Sequence, residues 1–234
     1  MRWTSMFLVP AVFAFVLGAC KDENNPAAAG ATTTNYVGVM AGTGVSGTLT
    51  ISITTGKRAY PATNEAGDTL EVTATLKING GAAIPLTGYF IVATGELYLA
   101  GGGYAFEGVF SAGTITGTFT YPGGGGIFNC DEGNAADVRT YCGRYQDAAP
   151  GTEAGYLNMT ISGTSIVVLV YPDGAPDQAF MAAGTINAEN VITIFNPDAP
   201  SLVIATGMLN TVSNTASGEY AGDPGGTWSA EPCH

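Results

Sequence analysis

The chain has 234 residues, 46% of them hydrophobic, and carries 19 acidic against seven basic residues for a net charge of −12 at pH 7. That much apolar material supplies a core and excludes wholesale disorder. The negative balance argues against nucleic acid or an anionic lipid surface as partner, because like charges repel. Thirty-four glycines, abundant threonine and only 11% charged residues point to many short strands joined by tight turns rather than to amphipathic helices.

At the N-terminus Arg2 precedes an apolar run from Met6 to Leu17. About 20 residues are needed to span a bilayer, so the run suits a secretory signal rather than an anchor helix. It ends in Leu17-Gly18-Ala19-Cys20, which resembles the lipobox of bacterial lipoproteins. The resemblance implies that residues 1–19 are removed as a signal peptide. Cys20 would then carry a covalent diacylglycerol and acyl chain, the only prosthetic group expected. Lys21 in place of the aspartate that retains such proteins at the inner membrane implies an outer-membrane destination, facing the periplasm or the cell surface. The ordinary alternative is cleavage by the general peptidase, with Cys20 an unmodified cysteine. Residues 20–34 lack periodicity and read as a flexible tether.

Beyond the tether the chain repeats its own grammar. Tyr36-Val37-Gly38 answers Tyr141-Cys142-Gly143, Gly47-Thr48-Leu49 answers Gly155-Tyr156-Leu157, and the stretch closing at Cys130 answers the one closing at Cys233. The offsets of 105, 108 and 103 residues between these landmarks describe a duplicated unit of about 100 residues. The expected units are 35–130 and 141–234, with an acidic linker at 131–140. Within them the period is two. Leu70, Val72, Ala74, Leu76 and Ile78 alternate with Thr69, Glu71, Thr73, Thr75 and Lys77, as a half-buried antiparallel strand does. Ile166 to Val170 is apolar on both faces and reads as a central strand. The fold class is therefore all-β: two tandem antiparallel meanders of about seven short strands each, closed as small barrels or packed as sandwiches. A barrel set in the outer membrane fits poorly, since no aromatic girdles recur. The same grammar is similar to Gly/Thr-rich surface lipoproteins and, more distantly, to the up-and-down barrels of avidin-like and lipocalin-like proteins. The latter likeness implies a ligand in a barrel interior. Avidin-like pockets use several tryptophans, however, and Trp228 is the only one beyond the leader, so biotin is not implied.

In an oxidising compartment Cys130, Cys142 and Cys233 allow one bridge. Cys142–Cys233 would join the first and last strands of the second unit; Cys130–Cys142 would close a short loop over the linker. Both pairings remain open at the level of sequence. The single histidine is the terminal His234, which leaves no basis for a Ser-His-Asp or Cys-His apparatus, and no zinc-ligand spacing is present. The expected role is thus a non-enzymatic binding or structural module, with an envelope protein or a glycan as partner. Glu96, Tyr98, Tyr104 and Glu107 fall on adjacent expected strands and form a candidate glycan-contact patch; as paired carboxylates, Glu96 and Glu107 would be the acid and base of a carbohydrate-active enzyme. A carrier using a barrel interior is the remaining alternative. Asp131, Glu132 and Asp137, with Asn134 between them, offer oxygen ligands that could suit calcium, as do Asp173 and Asp177 in a turn, but neither set has EF-hand spacing. Gly123 to Gly126 lacks the Lys-Ser/Thr of a phosphate loop and reads as a hairpin tip.

Overall fold

The computed structural model describes residues 31–58, 69–148, 153–222 and 225–234. The leader, Cys20 and most of the tether lie outside these residues.

Two closed barrels of eight antiparallel strands follow one another along the chain. The first comprises β1 (Thr33–Gly42), β2 (Val45–Arg58), β3 (Thr69–Ile78), β4 (Ile84–Ile91), β5 (Glu96–Gly101), β6 (Tyr104–Ser111), β7 (Thr114–Tyr121) and β8 (Gly124–Glu132). The second comprises β9 (Val138–Asp147), β10 (Glu153–Ser162), β11 (Ser165–Pro172), β12 (Phe180–Ile186), β13 (Val191–Phe195), β14 (Val203–Asn210), β15 (Thr215–Tyr220) and β16 (Gly226–Pro232), with a 3₁₀ turn at Pro176–Gln178. Each strand pairs with its neighbours in sequence, and the rings close through β1–β8 and β9–β16. Closure adds an eighth strand to the seven expected, because a meander can hide its last open edge only by pairing its first strand with its last. β1 starts at Thr33, two residues into the expected tether. The link between barrels is shorter than expected: Asp131 and Glu132 end β8, and Val138 already begins β9.

The two-residue period places apolar side chains inside. Val72, Ala74 and Leu76 of β3 are buried, whereas Glu71, Thr73, Thr75 and Lys77 face outward. Leu49, Ile51, Leu97, Phe106, Ile115, Phe119 and Phe128 fill the first interior. Met159, Ile161, Val168, Ile192, Ile194 and Trp228 contribute to the second. Apolar inside and polar outside is the reverse of a membrane-spanning barrel. Glycines on the inward faces also find their reason here. A Cβ on Gly108 or Gly117 would stand 2.7 or 2.8 Å from the Phe128 ring, and one on Gly207 would stand 2.4 Å from the Trp228 indole. These glycines leave the floor on which the large rings lie.

Through the middle of every strand the ladders of the two barrels correspond, and they part only at bulges near Ile53, Gly155 and Ile194. Tyr36 corresponds to Tyr141, since they face Ile51 and Met159 respectively. At the closing strands Phe128 corresponds to Trp228, opposite Met40 and Tyr145. The offset there is 100 residues, not 103, because Cys130 lies across from Gly38 as Ala230 lies across from Gly143. Cys130 is therefore the counterpart of Ala230 rather than of Cys233.

The barrels pack side by side, β1 and β8 against β9, β10 and β11. This explains why β1 is buried on both faces. Tyr36 and Met40 point into the first core, while Val37, Val39 and Ala41 are buried outside it. Across the seam, outward-facing Leu169 and Tyr171 of β11 are likewise buried. Most polar members of the seam pair across it, although Oδ1 of buried Asn129 has no hydrogen-bond partner. Asn158 Nδ2 donates to the Met40 carbonyl at 2.7 Å and to Ser46 Oγ at 2.8 Å. Thr160 Oγ1 donates to Asp131 Oδ2 at 2.7 Å, and the Tyr171 hydroxyl to the Gly125 carbonyl at 3.1 Å.

Candidate functional site

The second barrel has an open end. A cavity of about 530 Å³ opens there, walled by Leu157, Val168, Val170, Ile194 and Ala205, a volume within the ordinary range of small-molecule sites. Its mouth is formed where β9, β11, β13 and β15 end and β10, β12, β14 and β16 begin. Tyr145 and Tyr220 meet edge to face there, ring centres 5.8 Å apart, and Phe180, Gln178, Asn196 and Asp198 complete the lip.

The first barrel shows why this cup exists. Register equivalence places Phe106 at the position of Ala205, both next to the strand-matched pair Leu99 and Ile194. It places Leu86 at the position of Ala182, opposite Ala74 and Val168. In the first barrel Phe106 stacks on Phe119 at 5.4 Å and meets Phe128 edge-on at 5.4 Å. Tyr104 and Tyr121 stack over them at 5.3 Å, and the Tyr121 hydroxyl donates to the Thr43 carbonyl. That end is stoppered with rings. In the second barrel Ala205 and Ala182 replace Phe106 and Leu86, and past the bulge at Ile194–Phe195 it is Ile204 that packs on the core where the first barrel has Tyr104, so side-chain volume is missing at the same end. Tyr145 in place of Met40 and Trp228 in place of Phe128 restore part of it.

Tyr220 donates its hydroxyl to the Asp147 carboxylate and, at 3.2 Å, to the Gln146 carbonyl. Its acidity falls well below that of an ordinary phenol, first through burial and then because the hydrogen bond and charge of Asp147 favour the neutral form. Burial, followed by the charges of Asp147 and Asp173, pushes Tyr145 up to about 12. On the outer wall Arg144 pairs with Asp173 and lies 4.5 Å from the centre of the Tyr156 ring.

The structure sorts the residues singled out from sequence. Cys142 and Cys233 form a disulfide, with Cα atoms 5.0 Å apart, which joins β9 to the end of β16. Cys130 is a buried free thiol in the first core, its Sγ 3.7 Å from the Leu49 carbonyl; burial, then the Asp131 charge, raises its pKa. Glu96, Tyr98 and Glu107 do share the outer wall of the first barrel, Tyr98 directly opposite Glu107. Tyr104 does not join them: it lies on the other face of β6 and packs on the core. Its place is taken by Tyr89, stacked on Tyr98 at 5.0 Å. The Glu96 charge, then partial burial, raises the Tyr98 pKa. Glu96 and Glu107 stand on a convex wall, not across a cleft. Asp131 and Glu132, successive in a strand, point to opposite faces; Asp131 accepts from Thr160 and Thr114 at the seam. Asp137 follows β8 in the connection, Asp173 pairs with Arg144, and Asp177 sits in the 3₁₀ turn. Among the described residues no group of three or more His, Cys, Asp or Glu gathers to hold a metal. His234 lies beside Gly80, lining a cleft between the barrels.

Sequence reasoning missed the cup. Its signal was present in the small residues Ala182 and Ala205, but it is readable only once the registers pair them with Leu86 and Phe106. No protein-family model matches the chain, and a search of curated proteins finds no match.

Proposed function

We propose that this is a lipid-anchored cell-envelope protein whose second barrel binds a small, mainly apolar molecule in its open end, without catalysing a reaction. The observation that carries the reading is the contrast between two barrels whose central registers correspond, one stoppered by Phe106, Tyr104 and Tyr121, the other hollow above Ala205. Burial of an apolar ligand against such walls is worth about 25 cal/mol per Å² of apolar surface covered, before the costs of association are subtracted. Export and anchoring rest on Leu17-Gly18-Ala19-Cys20. The first barrel then serves as a rigid support, and its outward Tyr89–Tyr98 pair as a secondary contact surface for a glycan.

The test is titration with an uncharged solvatochromic probe such as N-phenyl-1-naphthylamine. The wild-type chain should bind it with a blue-shifted emission. Ala205→Phe, which supplies the ring that the first barrel has, should abolish binding while leaving the β-sheet circular dichroism intact. Phe106→Ala should open a second site in the first barrel, at a cost of about 3–5 kcal/mol in stability. Absence of probe binding to the wild type, or binding indifferent to Ala205→Phe, would remove the carrier reading.

A further inference from the structure

The chemistry at the mouth of the cup narrows its ligand. Resting on the reading that the cup is a binding site, we infer that its ligand is a cationic amphiphile: an apolar body carrying an amine or quaternary ammonium group that stays at the lip.

The charge around the barrel is unevenly placed. The open end carries Asp147, Asp173, Asp177 and Asp198, whereas the closed end, among the described residues, carries Asp137, Glu189 and Glu231 together with the cation of Arg139. The second barrel holds two basic residues, Arg139 at the closed end of β9 and Arg144. Arg144 stands on the outer wall, committed to Asp173 and Tyr156. No basic side chain of this barrel therefore lines the mouth, and a carboxylate or phosphate head would meet Asp147 and Asp198 with no counter-charge.

A cation meets the opposite situation. Asp198 is part of the lip itself. Asp147 lies directly behind Tyr220, whose hydroxyl it accepts, so its charge is held at the mouth by a fixed donor. Tyr145 and Tyr220 stand nearly perpendicular, at 88°. Two rings set at a corner offer a π-face and a ring edge together, and an ammonium group over such a face is attracted by the ring quadrupole. Below the rings the walls change at once to Leu157, Val168, Val170 and Ile194, which have nothing to offer a charge. The lip continues outward as exposed Phe180, with Leu202 and Val203 nearby. The cup thus sorts an amphiphile by depth: apolar body inward, cation at the ring corner, carboxylates outside.

The experiment is competition against the same uncharged probe on the full chain, with decyltrimethylammonium, decanoate and decan-1-ol, each below its micellar concentration. At low salt the ammonium compound should displace the probe at a concentration roughly tenfold lower than decanoate, the ratio that a few partly exposed charge contacts support. The ratio should shrink toward one in about 0.5 M salt, where the Debye length falls to a few ångströms, and in the Asp147→Asn, Asp198→Asn double variant. Decanol should fall between the two charged compounds. If the probe binds but decanoate competes as well as the ammonium compound, the cationic assignment is overturned and the cup stands. If the probe does not bind at all, it is the cup that fails.

Discussion

At the residue scale, the two mouth tyrosines set the alkaline limit of the second barrel. Both phenols have folded pKa values raised above the ordinary 10, Tyr145 to about 12 and Tyr220 further in the same direction. The fold favours their neutral forms, so the stability they contribute is fully present below pH 10. It is lost as pH rises through the folded pKa of each, Tyr145 first. Melting temperature should therefore hold level below pH 10 and fall between pH 10 and 12. Phenolate absorbance at 295 nm should show Tyr145 and Tyr220 as the two latest-titrating tyrosines of the folded chain, beyond Tyr36 and Tyr98, which are raised less. Tyr220→Phe should remove one of them and flatten the alkaline slope; an unchanged slope would mean that Asp147 does not hold the hydroxyl as described.

At the scale of elements, the decisive pairing is β9 with β16. In the first barrel the matching strands β1 and β8 close by hydrogen bonds and the apolar rings beneath them. The second barrel, with alanines where the first has Phe106, Leu86 and Ile115, has less core to hold its closing pair. The Cys142–Cys233 bridge spans 91 residues at that seam. Cross-linking a loop of that length restricts the unfolded chain by an amount worth about 4–5 kcal/mol in the loop-entropy account. Cys142→Ser with Cys233→Ser should cost the second barrel about that much, read as the shift in denaturant midpoint. Cys130→Ala, which trims one buried thiol from the first core, should cost far less. Equal losses would contradict the assignment of the bridge as the closure of the weaker barrel.

At the scale of the whole molecule, the barrels are joined by a face that neither would expose comfortably alone. Val37, Val39, Ala41 and Leu169 are buried there without belonging to either core. Asn158 lies among them, fully buried, with its amide donating to Met40 and Ser46 and its Oδ1 accepting from the Gly143 amide at 3.2 Å. Asn158→Ala strips partners from both barrels at once. Each buried group left unsatisfied costs about 1–3 kcal/mol, so a loss of about 3 kcal/mol is expected. The single unfolding transition of a coupled pair should also separate into two. A single unshifted transition in calorimetry would show that the seam does not couple the barrels.

The sequence by itself determined the all-β class, the duplication and the residues that face inward, because a strand's two-residue period is a local property written side chain by side chain. Val72, Ala74 and Leu76 could be placed inside without any knowledge of their neighbours. It also presented Cys142–Cys233 as one of two bridges. Choosing between them required knowing that the meander closes, which depends on the summed twist and stagger of eight strands rather than on any one of them. The glycan-contact group shows the same division. Glu96, Tyr98 and Glu107 share a face by parity, but Tyr104 begins its strand on the opposite parity, and Tyr89, on the preceding strand, takes its place through cross-strand pairing. The cup belongs wholly to tertiary structure. An alanine at 205 is an ordinary inward residue until the register sets it against Phe106, and a cavity is the difference between the space that a closed barrel encloses and the volume of the side chains that reach it.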